Sequence, residues 1–435
     1  MGYWVGVMRY LAVMIAYLLS GSLVAATWTV TDSASLSAAL MDAASGDSVH
    51  LAAGEYPGHF VVTKTLTMTS NAKAQLDALG SGSALTVRAP NVTVKGLSIR
   101  GFGASLYDRD AAILVEAGSD NVRVLDNIIQ GPGFGIRADE VQNIRIAGNH
   151  ITGNAKAHKL DRGDGIYLSY VTHPQLYQNT IQNVRDGIYL ENVSHSRSFD
   201  NHFSEQQYGI HYMYTQDDEA WHNQAFNVDG GYALMSAKRI HLHHNQVANA
   251  VDFGILLNLT HESKLHDNQV LATHNPKGDV ALMSEGKGIF IYGARDNQIY
   301  QNLFEANDTG INMAMGGEGN RLWLNQFINN RAAVKYVGDS LLEWSYQGQG
   351  NYWSDYQGWD LSQDGIGDLP YQPNDSLDRL FWLYPELSLL LDSPVVALLR
   401  WLEQQFVPVS GKGVRDSAPL MQPFALELRI AKEYQ

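Results

Sequence analysis

The sequence predicts an all-β fold, a right-handed parallel β-helix (solenoid) with an N-terminal cap and a mixed C-terminal segment. Two markers recur in phase along the chain. The first marker is a small residue followed by an apolar residue, any residue and a second apolar residue. It returns at steps of mostly 22 or 23 residues, as in GIYLS at 165, GIYLE at 187, GIHYM at 209, GYALM at 231 and GILLN at 254. An asparagine keeps the same step, at Asn127, Asn149, Asn179, Asn201, Asn223, Asn245, Asn268, Asn302 and Asn325. Such a repeat buries its apolar residues only when coils stack, so a solenoid is expected.

The N-terminal 26 residues have the form of a secretory signal. Arg9 precedes an apolar run over residues 10–24, and Ala25 and Ala26 follow as small residues. The alternative is a retained membrane anchor, although the run is shorter than the ~20 residues that a span needs. Residues 27–345 are then expected to form the solenoid with its cap. In that cap, residues 33–44 fit an amphipathic helix, and residues 47–70 fit the first coils.

Each repeating asparagine is expected to occupy a corner of its coil. Asparagine tolerates the left-handed backbone conformation, and its amide can hydrogen-bond to the asparagine of the next coil, so its loss should reduce stability. Two steps are longer, 30 residues before Asn179 and 34 before Asn302. Loops are therefore predicted near residues 156–162 and 274–287, and loops on a rigid scaffold often carry binding sites.

Composition limits the partners and the ligands of the chain. The chain has no cysteine, so a metal would be held by histidine, methionine and carboxylate side chains. The net charge of -15 argues against a nucleic-acid partner, because phosphate binding requires a basic surface.

The strand register suggests a candidate copper site. If Ile188 and Ile210 point into the core, the residues that follow them point outward. This register places His211, Met213 and Met235 on one outer face of neighbouring coils, and two thioethers with an imidazole suit Cu(I). The alternative is that these methionines are ordinary packing residues. Two further methionines, Met313 and Met315, are expected on the core side.

A second column precedes the asparagine corner, with Asp200, His222, His244 and Asp267 at equivalent positions of four successive coils. Such a column suits Zn(II) or Cu(II), and its alternative is a solvated polar ladder. Further histidines make this flank histidine-rich, namely His241, His243 and His266.

A rival interpretation is an enzyme that acts on acidic polysaccharide. Asp164 and Asp186 stack on successive coils beside Arg162, Arg185 and the loop with Lys156, His158 and Lys159. Paired carboxylates next to cations are what proton abstraction beside a uronate requires. The alternative is an electrostatically balanced rung. A passive surface adhesin is a third class.

Two family resemblances add to this reading. The coils resemble the carbohydrate-binding and sugar-hydrolase repeats. The C-terminal stretch NYWSDYQGWDLSQDGIGDLPYQPNDSLDRLFWLYP at 351–385, with LLLDSPVVALLRWLEQQF and DSAPLM after it, resembles the NosD family, the periplasmic maturation factors for the copper sites of nitrous oxide reductase. This second resemblance covers nearly the whole chain.

The NosD resemblance implies a non-catalytic periplasmic subunit docked on an ABC transporter, formed by the NosF ATPase and the NosY permease. It implies that copper, expected as Cu(I), arrives from the chaperone NosL and is delivered to the reductase NosZ.

The C-terminal segment, residues 346–435, carries two more candidate features. Asp360, Asp364 and Asp368 lie in an acidic loop that suits calcium, although Ser362 stands where such loops often carry another Asp. The alternative is an Asp/Gly turn that caps the last coil. An apolar set is expected to dock on the permease or to cap the coils, comprising Trp382, Leu391, Val395, Leu398, Leu399 and Trp401.

Overall fold

The computed structural model describes residues 25–71, 73–275, 286–336, 338, 340–374, 376–390, 393–406 and 413–424. The predicted signal segment up to residue 24 lies outside these ranges, as do most of the second predicted loop and Leu391.

Three parallel sheets extend along the chain from Thr27 to Trp353. Sheet 1 comprises Thr27–Val30, Ser48–Leu51, Thr67–Thr69, Thr93–Lys95, Arg123–Leu125, Arg145–Ala147, Gln175–Tyr177, Arg197–Phe199, Glu219–Trp221, His241–His243, Lys264–His266, Gln298–Tyr300 and Arg321–Trp323. Sheet 2 comprises Gly54–Pro57, Ala74–Asp77, Ser98–Arg100, Ile128–Gln130, His150–Thr152, Thr180–Gln182, His202–Ser204, Gln224–Phe226, Gln246–Ala248, Gln269–Leu271, Leu303–Glu305, Gln326–Ile328 and Tyr352–Trp353. Sheet 3 comprises Phe60–Val62, Leu85–Val87, Ala111–Val115, Phe134–Asp139, Ile166–Ser169, Asp186–Glu191, Tyr208–Met213, Gly230–Met235, Phe253–Asn258, Lys287–Ala294, Thr309–Gly316 and Ala332–Tyr336.

Each coil passes through sheets 1, 2 and 3 in turn and pairs with the next coil in parallel, which makes the protein a right-handed β-solenoid and confirms the predicted fold class. The predicted register is also correct, because Ile188 pairs with Ile210 and both are fully buried. The small residue before each apolar run is needed for packing. At Gly254 a Cβ atom would lie 2.2 Å from Val270 Cγ1 and 2.7 Å from the carbonyl oxygen of Gly288.

The asparagines form a buried hydrogen-bonded ladder, as expected. At Asn201, Nδ2 donates to Oδ1 of Asn223 at 2.9 Å and to the carbonyl of Leu176 at 2.8 Å. The expectation that asparagine itself takes the left-handed conformation is wrong. The residue before it does so, for example Asp200 at φ 54° and His222 at φ 54°. That residue turns the corner and leaves the asparagine amide pointing inward.

The N-terminal end of the core is covered by the helix Ser33–Asp42, close to the predicted range. Its N-cap is Asp32, which accepts a hydrogen bond from the Ser35 backbone N–H, while the Ser35 hydroxyl oxygen accepts one from the backbone N–H of Asp32. Leu36 and Leu40 are buried against the first coils. This helix prevents the apolar end of the solenoid from remaining open.

The solenoid continues past residue 345, because Tyr352–Trp353 adds a last strand to sheet 2. Trp353 stacks on Phe327 with a ring-centroid distance of 4.3 Å. Asp416, from the C-terminal segment, accepts hydrogen bonds from the Asn351 backbone N–H at 2.7 Å and from Trp353 Nε1 at 2.8 Å. Within the segment, Gly413–Arg415 pairs in parallel with the preceding strand Leu341–Glu343. The segment also contains the helices Ser376–Leu383 and Pro394–Phe406 and the 3-10 turn Pro385–Leu390.

The first predicted loop folds back onto the coils around the 3-10 turn Lys159–Asp161. Arg162 donates to the carbonyls of Ala155, Ala157 and Glu205, and Lys159 forms an ion pair with Asp229. The described ends of the second loop are joined by Asp308, which accepts from the backbone N–H groups of Asn275 and Gly286.

Candidate functional site

The structure brings together the three residues of the soft-donor set, which we call the sulfur site: His211, Met213 and Met235. Met213 pairs with Met235 across neighbouring strands of sheet 3. His211 Nε2 lies 3.3 Å from the sulfur of Met235. Because side chains two residues apart on a strand share a face, the three donors lie on one outer patch of two successive coils.

Asp186 orients the imidazole of the sulfur site. This carboxylate lies on the preceding coil, is nearly inaccessible to solvent, and contacts His211 Nδ1 through Oδ2 at 3.0 Å. The contact fixes the tautomer in which Nδ1 carries the proton, so the Nε2 lone pair faces the Met235 sulfur. Histidines that bind metals commonly donate their other N–H to a carboxylate in this way.

A second buried carboxylate lies behind Asp186. Asp164 is fully buried and accepts two hydrogen bonds from the Arg185 guanidinium, at 2.9 and 2.7 Å. Burial and the neighbouring Asp186 raise the pKa of Asp164 to about 7. Arg185 thus holds the buried Asp164 in a bidentate ion pair.

The two carboxylates of the polysaccharide interpretation therefore do not face solvent. Asp164 and Asp186 are 0% and 2% exposed, and their partners are Arg185 and His211. Arg162 is also buried and donates to backbone carbonyls. A polymer bound on the surface would not reach this carboxylate pair, so the geometry favours a structural role for it.

One side of the sulfur site is apolar. Ala233 and Leu256 follow His211 in its outward column, and both are buried. They pack with the buried Phe253 and the partly buried Tyr208 and Phe290, and Met235 belongs to the same cluster. An apolar surround limits water access and suits a soft cation better than a hard one.

The second predicted column is present at one corner, but its members separate into pairs. His222 Nδ1 lies 3.6 Å from Asp200, and His244 Nε2 lies 4.0 Å from Asp267. All four residues line a surface cavity of about 240 Å³. The four side chains thus share a cavity without converging on one point.

A tighter group shares His244 and Asp267 with this column and extends onto the outer face of sheet 1. We call it the histidine cluster, and its members are Glu219, His241, His243, His244, His266 and Asp267. Within it, two sets of two imidazoles and one carboxylate are close enough to hold a metal ion, Glu219 with His241 and His243, and His244 with His266 and Asp267. Sequence reasoning missed Glu219, although its position 22 residues before His241 predicts that the two pair.

The acidic loop of the C-terminal segment does not bring its three carboxylates together. Asp360 accepts from the backbone N–H groups of Gln363 and Gly365, at 2.6 and 2.8 Å. Asp368 accepts from the backbone N–H of Leu361, and Asp364 from that of Ile366. Each carboxylate stabilises a turn of its own loop.

The apolar set predicted for docking lies mainly on two C-terminal helices. On Pro394–Phe406, Val395 is 63% exposed, and Leu398 and Leu399 are also exposed. Trp382 and Trp401 belong to helices, but their side chains lie outside what the structure describes, as does Leu391. Within the described ranges, none of the helices combines the length and the apolar character needed to cross a bilayer.

Comparisons with known proteins fit this architecture. A family model described as periplasmic copper-binding protein (NosD) matches residues 156–358, and one described as right handed beta helix region matches residues 79–226. A family 28 exopolygalacturonase of Yersinia enterocolitica has a similar structure, with a TM-score of 0.50 and 12% identity over 72% of this chain and 78% of that one. At this identity the likeness shows the fold alone.

Two relatives match nearly the whole chain. The chain is 41% identical over 375 residues to a protein of Stutzerimonas stutzeri named "Probable ABC transporter binding protein NosD", and the match covers 86% of each sequence. It is 43% identical over 381 residues to the protein of the same name from Pseudomonas aeruginosa, across 87% of this chain and 89% of the relative. The chain therefore belongs to the NosD family.

Proposed function

We propose that this protein is a periplasmic, non-catalytic subunit of an ABC transporter that receives Cu(I) and passes it on for the maturation of nitrous oxide reductase. Membership of the NosD family supports a role in copper handling. The observation that carries the proposal is the sulfur site, where His211 Nε2 faces the Met235 sulfur at 3.3 Å and Asp186 fixes the imidazole.

The chemistry of the sulfur site suits a metal that is held and then released. Its three donors are neutral when the imidazole is neutral, and the thioethers are soft ligands that select Cu(I) over harder cations. His211 supplies the oriented nitrogen, while Met213 and Met235 supply sulfur from two coils. Copper is the cargo of this site, received from the chaperone NosL and destined for the reductase NosZ.

A triple variant tests the sulfur site. We expect His211→Gln, Met213→Leu and Met235→Leu together to weaken Cu(I) binding roughly 100-fold or more, because loss of an outer hydrogen-bond partner alone typically costs 10- to 100-fold. The measurement is an anaerobic Cu(I) titration of the protein against a competing chelator such as bicinchoninate, with circular dichroism to verify the fold.

Met315→Leu is the matched control. Met315 is exposed and continues the column of Met213 and Met235 through Asn258 and Tyr292. This variant should bind Cu(I) as the parent protein does. Undiminished binding by the triple variant, or an equal loss in the control, would contradict the assignment of the site.

The proposal places the transporter contact on the C-terminal helix Pro394–Phe406. One face of this helix is apolar and exposed, and it comprises Val395, Leu398, Leu399 and Leu402. Val396, on another side of the helix, is buried. An exposed apolar stripe of this kind suits docking on another protein, here the NosY permease, which the NosF ATPase accompanies.

Polar substitutions on that stripe should separate docking from folding. We expect Val395→Gln, Leu398→Gln and Leu399→Gln together to abolish co-purification with the permease and the ATPase while the solenoid keeps its circular dichroism and melting temperature. Leu361→Gln is the control, because Leu361 is an exposed leucine elsewhere in the C-terminal segment. Recovery of the intact complex with the triple variant would disprove this placement.

A further inference from the structure

The histidine cluster lies on a different sheet from the sulfur site and is built by three successive coils of sheet 1. Glu219 pairs with His241 on the next strand, and His243 pairs with His266 on the one after. His244 follows His243 in the sequence and Asp267 follows His266, and both occupy corner positions with positive φ. The coil repeat therefore places four imidazoles and two carboxylates side by side.

The proton positions in the cluster follow from Asp267. His266 Nδ1 lies 2.7 Å from the Asp267 carboxylate, so Nδ1 carries a proton and donates it. In a neutral ring this leaves a lone pair on His266 Nε2, which lies 2.7 Å from His241 Nε2. His241 must then donate through Nε2, and its Nδ1 keeps a lone pair.

Two acceptors consequently face each other at Glu219. The lone pair on His241 Nδ1 is 3.5 Å from Glu219 Oε1, and His243 Nε2 is 3.4 Å from the same oxygen. When His243 donates through Nδ1 to His244 Nδ1, at 2.9 Å, its Nε2 lone pair joins the group. In this tautomer three acceptor atoms converge, and a cation between them would satisfy all three.

The distances match those of a transition-metal site. Bonds of about 2.0–2.1 Å in a tetrahedron place ligand atoms about 3.3–3.4 Å apart, close to both contacts of Glu219 Oε1. We propose that Glu219, His241 and His243 bind a divalent transition-metal ion, Zn(II) or Cu(II), at a site separate from the sulfur site. In this arrangement His266 and Asp267 position His241, and His244 positions His243.

The electrostatics of the cluster support this assignment. Glu219 supplies a carboxylate oxygen beside two imidazole nitrogens, a donor set that suits a divalent transition metal. Arg197 lies 3.8 Å from the other carboxylate oxygen of Glu219, which leaves Oε1 to face the imidazoles.

An external stack of aromatic rings holds the ligands in place. His243 stacks between Trp221, at 6.0 Å, and His266, at 5.1 Å, with planes within 8° of parallel. Tyr300 covers the far face of His266 at 4.8 Å. Rings clamped in this way lose little freedom when they bind an ion, and such preorganisation increases affinity.

Calorimetric titration of the full, chelator-treated protein with Zn(II), repeated with Cu(II), tests the site. We expect one high-affinity ion per chain, and the double variant His241→Gln/His243→Gln should weaken its binding 100-fold or more. Asp267→Asn should weaken it 10- to 100-fold through the loss of orientation. X-ray absorption of the Zn(II)-loaded protein should show two imidazole ligands.

His173→Asn/His195→Asn is the matched control. These two histidines also stack on successive coils, with ring centroids 4.8 Å apart, and both have positive φ, which asparagine tolerates. The control should bind Zn(II) normally, and so should the triple variant of the sulfur site, which separates the two proposals. If the double histidine variant does not fold, Glu219→Gln alone should produce the loss of Zn(II) affinity. Absence of Zn(II) and Cu(II) binding by the parent protein, or binding unaffected by these substitutions, would overturn the proposal.

Discussion

Replacing Asn201 with alanine is expected to lower the free energy of unfolding by roughly 3 to 6 kcal/mol, because several buried groups lose partners at about 1 to 3 kcal/mol each. Asn201 is fully buried in the asparagine ladder. Its Oδ1 accepts from the backbone N–H and the Nδ2 of Asn179, at 3.1 and 2.9 Å. Its own Nδ2 donates to Asn223 and to the carbonyl of Leu176.

Urea unfolding followed by circular dichroism measures this loss. Asn154→Ala is the control, because Asn154 lies exposed in the first loop and should change stability by less than about 1 kcal/mol. Copper binding by the folded Asn201 variant should persist, since the ladder lies in the core. A loss at Asn201 no larger than that at Asn154 would refute the role assigned to the ladder.

The second large effect is expected from Asp218→Asn, which should stabilise the protein at pH 8 by roughly 2 to 4 kcal/mol. Asp218 is buried, and its burial raises its pKa to about 7 despite a hydrogen bond from the Ser196 backbone N–H. In the unfolded chain the pKa is about 3.9. Between these values the folded state binds more protons, so stability falls as the pH rises from about 4 to about 7.

Asparagine fits this position because Asn297 occupies the equivalent position in the coil three steps further along the solenoid. There Oδ1 accepts from the Ser263 backbone N–H at 2.9 Å and Nδ2 donates to the carbonyl of Thr260 at 2.9 Å. Unfolding at pH 5 and pH 8 should show a smaller gain at pH 5. Asp217→Asn is the control, since Asp217 pairs with Arg239 at the surface. A gain that does not depend on pH would contradict the explanation.

The strand register was predictable because a coil of nearly constant length fixes which side chains stack. Counting steps of 22 residues placed His211, Met213 and Met235 on one outer face, and the pairing of Met213 with Met235 confirms that placement. The same counting places Glu219 beside His241. Proximity along a coil repeat is therefore within reach of sequence reasoning.

Other features depend on three-dimensional detail that a repeat does not contain. Met315 was predicted on the core side, and this is wrong, because a register shift after Ile291 pairs it with Tyr292 and exposes it. The tautomer of His211 depends on Asp186, a carboxylate of the preceding coil. The tautomer of His266 depends on Asp267, the next residue in the chain. Which nitrogen faces which atom depends on side-chain rotamers, on which the spacing of residues carries no information.

The asparagine ladder has a direction and an end. The bonds from one asparagine amide to the next all run toward the C-terminal side, from Asn127 to Asn149 and onward to Asn325 and Asn351, where Asp416 receives the last bonds. Aligned amide dipoles reinforce one another, so the row presents its positive end to that carboxylate. A carboxylate accepts hydrogen bonds but has none to give when ionised. Asp416 therefore acts as a terminator: it stops the row from continuing into a further coil or into a second molecule stacked end to end, and it ties the segment that follows residue 345 to the far end of the core.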